Sequence, residues 1–202
     1  MFSEILIETE AYVIDIFMEI ANDKFTYHDL KHTQNVVEAT GIIAKNEGLT
    51  PAEIHLLQIA AWFHDVGYLI DLKNHEETSV KLMREFFTDQ KLDYNQLDFV
   101  TRCIMATKYN TSPIDLYEQI IADADLHGLG TPHHFAQAEE LRKEIEALRE
   151  KSFNALEWVN FEIEFLESHQ YYTQFAQNTY GKVKLEHLNQ RKAEKQRLLD
   201  NS

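Results

Sequence analysis

"AAWFHDVGY", residues 60–68, ends an apolar run with two adjacent polar side chains, His64 and Asp65, and places Gly67 just behind them. The preceding "TPAEIHLLQI" (50–59) has Thr50 as N-cap, Pro51 at the first helical position and Glu53 three residues after the cap. That pattern predicts a buried helix that opens on a capping box and closes at the His-Asp pair. Burying an imidazole and a carboxylate against Trp62, Phe63 and Val66 is costly unless something pairs with both, and a metal ion is one answer. On a regular helix the two side chains diverge by about 100°. Both reach one ion only if it sits off the helix end, with other elements supplying the remaining ligands.

Outward from this helix the chain is poor in breakers: 202 residues include six Gly and three Pro. The composition predicts an all-α protein of one domain, 1–202. Apolar periodicity gives a first helix over 5–20, closed by Asn22-Asp23, and a second in "FTYHDLKHTQNVVEATGIIAKNEG" (25–48), with histidines at its start. Further helices are expected near 75–88, 94–107, 114–125, 133–151, 153–168 and 182–199, with breaks at "TKYNTSP" (107–113) and "HGLGTP" (127–132). No alternating strand pattern, internal repeat or low-complexity segment is found. The segment "AEELRKEIEALREK" (138–151) reads as an amphipathic helix with Leu141, Ile145 and Leu148 inward, packed on the core or at a homodimer contact.

A formal charge of −15 argues against nucleic acid polymers and anionic membranes as partners. It still admits a small phosphorylated ligand, provided a metal or a few local cations reverse the field in one cleft. Cys103, the single cysteine, lies in an apolar helical run and reads as a small buried hydrophobe. The start "MFSEILIETE" lacks the pattern of a secretory signal, and no run approaches the ~20 apolar residues that span a bilayer, so a cytoplasmic location is expected.

Two more stretches carry unexplained polar groups. In "YHDLKHTQNVV" (27–37), His28 and His32 are four apart and would share a helix face; in "IIADADLHGLG" (120–130), Asp123 and Asp125 end an apolar helix. The ordered set His32, then His64-Asp65, then a helix-terminal Asp resembles the H…HD…D signature of the HD-domain superfamily of metal-dependent phosphohydrolases. The likeness covers about residues 25–130, with about 131–202 as supporting C-terminal helices. It implies a helical bundle in which His32, His64, Asp65 and Asp125 hold a divalent metal, with Asp123 as second choice. Two imidazoles and two carboxylates with open positions suit Mn²⁺, Mg²⁺, Fe²⁺, Co²⁺ or Ni²⁺ better than a closed zinc site.

"YHDLKH" (27–32) is also similar to the Y-H-N-x-x-H segment of cyclic-nucleotide phosphodiesterases, which would make His28 a general acid. Asp29 stands for that Asn, Asn35 for a later Asp, and no histidine-proline-glycine run follows His64-Asp65. "NHEETSVKLM" (74–83) resembles the H-E-x-x-S segment of HD-type nucleotide triphosphohydrolases, by which His75 contacts a phosphate or assists proton transfer and Glu76 or Glu77 holds a side chain or water. Lys108 closes a helix with an apolar inner face and is expected to meet phosphate. His55, His133, His134, His169 and His187 read as surface or core histidines, and His127 stands close to Asp125. The expected function is metal-dependent hydrolysis of a phosphate ester or anhydride of a small, nucleotide-like molecule, with Asp65 or Asp125 orienting the water and His28 or His75 protonating the leaving oxygen or neutralising developing charge. The alternatives are a cyclic-nucleotide phosphodiesterase and a non-catalytic metal- and nucleotide-binding sensor.

Overall fold

Thr50 opens the central helix with reciprocal bonds: Thr50 Oγ1 accepts from the Glu53 N–H (3.4 Å), and Glu53 Oε2 accepts from the Thr50 N–H (2.8 Å). In the computed structural model, which describes residues 2–88 and 92–201, the chain forms α1 (Phe2–Ile20), α2 (Leu30–Asn46), α3 (Pro51–Phe63), α4 (His75–Phe86), α5 (Tyr94–Ala106), α6 (Leu116–Asp125), α7 (His134–Arg149), α8 (Ala155–Ser168) and α9 (Gln174–Asp200). Short 3₁₀ turns cover Val66–Leu69 and His127–Gly130, and all regular elements among the described residues are helical. Capping boxes also start α5 (Asp93 with Gln96) and α8 (Asn154 with Glu157). Asp29, Asp115 and Thr173 cap α2, α6 and α9. Side-chain oxygens therefore meet amide donors that the first turns leave unpaired.

Helix α3 is the axis of the bundle. Its Leu57, Ile59, Ala60, Ala61, Trp62 and Phe63 are buried, and α1, α2 and α5 pack around it. Cys103 lies in this core at 0 % exposure, where burial raises its thiol pKa. A second apolar cluster joins Leu129, Val159, Ile163, Leu166 and Leu188, tying α8 and α9 to the 3₁₀ turn that follows α6. No helix of the described residues is long and apolar enough to cross a membrane.

The last helix differs from expectation, starting at Gln174 and not at 182. Thr173 caps it by accepting from the Ala176 N–H (3.2 Å), and the helix runs through Gly181, whose added Cβ would meet nothing within 4 Å. One mid-helix glycine costs only about 1 kcal/mol relative to alanine, too little to end a capped helix.

Gly67 is a different case. An added Cβ there would lie 2.1 Å from the His75 carbonyl oxygen and 2.6 Å from the Ser79 amide nitrogen. The missing side chain lets the turn after α3 meet the start of α4, where Ser79 Oγ accepts from the Gly67 N–H (2.9 Å) and donates to the His64 carbonyl (2.8 Å). Gly67→Ala is expected to cost about 1–3 kcal/mol or more by overpacking, whereas Gly181→Ala should gain about 0.5–1 kcal/mol. Thermal unfolding midpoints moving in opposite directions would bear this out, and a neutral Gly67→Ala would refute it.

Candidate metal centre

Each residue of the cluster stands at an element boundary. Asp29 caps α2 by accepting from the His32 N–H (2.7 Å), which sets His32 in the first turn. His28 precedes that helix, so the two histidines do not share a regular helical face as their spacing suggested. His64 is the C-cap of α3, and its Nδ1–H donates to the Ala61 carbonyl (2.7 Å). That bond leaves the Nε2 lone pair for a ligand. Asp65 departs from helical geometry (φ −111°, ψ 2°), so its carboxylate swings round to the same point as the His64 ring. Asp125 ends α6.

Together they form a tight group. Asp65 Oδ2 lies 3.0 Å from His64 Nε2 and 3.4 Å from His32 Nε2, and Asp125 Oδ1 lies 3.3 Å from His32 Nε2 and 3.4 Å from His64 Nε2. All four ligand atoms fall within 4.8 Å of one another, yet neither Nε2 is aligned for a hydrogen bond. Buried imidazole nitrogens without partners, facing two carboxylates, are what a divalent ion would satisfy.

Without an ion the group holds protons. Burial opposes charge on His32, but Asp125 and Asp65 outweigh it and lift the imidazole to about 9. Asp65 sits well below the usual carboxylate range, since His64 and His32 overcome its burial. The folded pKa of His32 lies above its unfolded value, so its protonated form stabilises the metal-free protein below about pH 6.5, and that contribution is lost as pH rises through about 9. A bound ion replaces those protons. The gap between metal-loaded and metal-free unfolding midpoints should therefore widen from pH 6.5 to pH 9; a constant gap would contradict the site.

Asp123 does not join the group. Its Oδ1 accepts from the Tyr172 N–H (2.8 Å) and its Oδ2 from the Thr173 N–H (2.7 Å) and Oγ1–H (2.7 Å). It pins the segment before α9, and Asp125 alone of the two acids meets the histidines. Asp125→Asn should lower bound metal at least about tenfold, while Asp123→Asn keeps it and lowers the unfolding midpoint. Metal analysis of the two purified variants separates these outcomes.

The cluster opens onto a cavity of about 570 Å³ whose lining includes Asp65, Asp125, His28, His75, Glu76 and Lys108. His75 Nε2 lies 3.7 Å from Asp65 Oδ1 and 3.2 Å from Glu76 Oε1. Lys108 Nζ donates to Glu77 Oε1 (2.5 Å). His28 rests on the Tyr68 ring (centroids 4.1 Å) and donates from Nδ1 to Glu144 Oε1, whose partner oxygen accepts from the Tyr27 and His28 N–H groups (2.9 Å each). Against its own burial, Glu144 is held below the ordinary carboxylate range by these three donors.

Sequence reasoning did not find Glu144, nor the cavity residues Arg149, Trp158, Phe161 and Glu162. His134 and His169, read above as surface or core histidines, also line the cavity. His127 turns its Nδ1 to the Ala124 carbonyl (2.7 Å) and lies outside the ligand group.

A helical bundle whose His32, His64, Asp65 and Asp125 converge in chain order has the plan of an HD-type domain. The chain belongs to the HD-CE family, which it matches over residues 23–148, a span that contains all four ligands. A crystal structure of a Lactobacillus plantarum protein, solved as a structural-genomics target, shares the fold, with a TM-score of 0.67 and 19 % identity over 94 % of this chain and 95 % of that one. No curated protein matches the sequence.

Proposed function

We propose that this chain is a metal-dependent phosphohydrolase that cleaves a phosphate ester or anhydride of a small, nucleotide-like molecule. The observation that carries this reading is that Asp65 and Asp125, two of the four ligand residues, line the same cavity as His28, His75 and Lys108. A divalent ion (Mn²⁺, Mg²⁺, Fe²⁺, Co²⁺ or Ni²⁺) held by His32, His64, Asp65 and Asp125 supplies Lewis acidity toward a phosphoryl oxygen and lowers the pKa of a water nucleophile.

The chain's own groups do the rest. Asp65 orients the attacking water and takes up its proton, with His75 3.7 Å away to share it. His28, fixed through Nδ1 by Glu144, has Nε2 as its free nitrogen and gives the leaving oxygen a proton as the phosphorus–oxygen bond breaks. Lys108 exchanges Glu77 for a phosphate oxygen, and Glu76, buried beside His75, holds that ring in place. Cyclic nucleotides form a second substrate set, favoured by the placement of His28 on the cavity wall beside His32 in "YHDLKH".

The test, with each of the five metals, is phosphate or pyrophosphate release from linear nucleotides and chromatographic detection of ring opening of cyclic nucleotides to the monophosphate. Turnover with linear substrates supports the main reading, and turnover confined to cyclic ones supports the second. Stoichiometric metal and nucleotide binding without turnover of either kind of nucleotide would replace both with a sensor.

A further inference from the structure

The wall of the cavity formed by α8 is built unlike the metal end. Trp158, Phe161 and Phe165 recur at i, i+3 and i+7, and all three line the cavity. Their rings are close to parallel: 23° between Trp158 and Phe161 (centroids 5.1 Å) and 8° between Phe161 and Phe165 (6.4 Å). Tyr109, on the loop after α5, continues the series at 19° to Phe165. A row of parallel aromatic faces is a stacking platform for a flat ring.

Glu162 sits on the same helix and also lines the cavity, at 4 % exposure. Arg191 Nη2 lies 3.0 Å from its Oε1 and offsets its charge, but neither carboxylate oxygen accepts an aligned hydrogen bond. His134 Nε2, 3.9 Å from Oε1, and the Trp158 Nε1–H on the same wall are also without hydrogen-bond partners. Unmet buried polar groups are costly, and several together on one cavity wall call for the groups of a ligand. The guanidinium of Arg191, 3.0 Å from Oε1, makes this a poor cation site.

We propose that the α8 wall is the recognition subsite for a purine-type heterocycle bearing an exocyclic amino group, stacked against Phe161 and donating an amino N–H to Glu162. This deepens the phosphohydrolase reading and rests on it for the part of the substrate that carries phosphate. Recognition of the base itself needs neither metal nor phosphate. Burial lifts the Glu162 carboxyl to about 7 although Arg191 opposes the rise, so an N–H donor favours its ionised form. The family match ends at residue 148, before α8 begins, so Trp158, Phe161, Glu162 and Phe165 belong to the part of the chain outside it, while Tyr109 and His134 fall within it.

The test is calorimetric titration of the full chain, in chelator, with two matched pairs: guanosine against inosine, and adenosine against purine riboside. Members of each pair differ in one amino group. In at least one pair the amino-bearing member should bind about fivefold or more tightly, and Glu162→Gln should reduce that preference to within about twofold. Phe161→Leu, which keeps apolar volume, should weaken every nucleoside about fivefold or more by removing the stacking face. If Glu162→Gln does not fold, the wild-type preference and Phe161→Leu decide the matter. Equal binding within both pairs, a preference unchanged in folded Glu162→Gln, ribose competing as well as nucleoside, or no nucleoside binding at millimolar concentration would each overturn the subsite. Loss of turnover in the nucleotide assay with base binding intact would instead count against the hydrolase reading alone.

Discussion

Replacing His64 and Asp65 together by alanine should abolish metal-dependent phosphate release, with turnover falling about a thousandfold or more and bound metal at least about tenfold. The variant removes the Nε2 that no protein group satisfies and the carboxylate that lies against both histidines, leaving only His32 and Asp125, 3.3 Å apart. Two ligands do not hold a labile divalent ion in competition with water. The fold should survive, because one imidazole and one carboxylate leave together and His32 keeps Asp125 3.3 Å away as its charge partner. Unchanged helicity by circular dichroism beside lost metal is the expected pair of results. Wild-type metal content in the double variant would remove the basis for the whole reading.

Glu144→Gln should lower turnover about a hundredfold while metal content stays at the wild-type level. The carboxylate accepts from two backbone N–H groups and from His28 Nδ1. A glutamine keeps the shape and one acceptor oxygen, but its amide presents N–H groups and no charge, so it no longer accepts from Nδ1 and at the same time balances an imidazolium. General acid catalysis contributes about 10²–10⁴-fold, and loss of the proton's correct position forfeits much of it. A fall in kcat with little change in KM separates this positioning role from a merely structural one. The effect should also be small for a substrate whose leaving group needs no proton, such as a nitrophenyl phosphodiester. An equal loss on both substrate types would make Glu144 a scaffold residue only.

Much of this arrangement was legible in order along the chain. The Thr50-Pro51-Glu53 start, the His64-Asp65 end of α3 and the helix-terminal Asp125 are local signals, because caps and boundaries depend on near neighbours. The parts that were not legible depend on long-range approach. Glu144 meets His28 across 116 residues of sequence and was hidden in a charge-laced helix. It did carry one signal: with Leu141, Ile145 and Leu148 it falls on the inward stripe of α7, where a carboxylate needs a partner. Glu162 repeats the pattern on α8 among Trp158, Val159, Ile163 and Leu166. The choice between Asp123 and Asp125 needed the segment that leads into α9, and no local pattern places Tyr172 and Thr173 beside α6.

Those two acids also make the end of α6 a spacer with fixed phase. Positions two apart on a helix point about 200° away from each other, so one carboxylate anchors the chain on one side while the other meets the histidines on the opposite side. Inserting or deleting one residue before Asp123 rotates both by about 100° and breaks the two contacts at once. The α7–α8 connection at 150–154, with Glu150 in a left-handed conformation (φ 48°) at the end of α7, reaches neither contact. Length variation in a lineage of such chains should therefore collect near 150 and stay out of 116–125, whatever substrate each member handles.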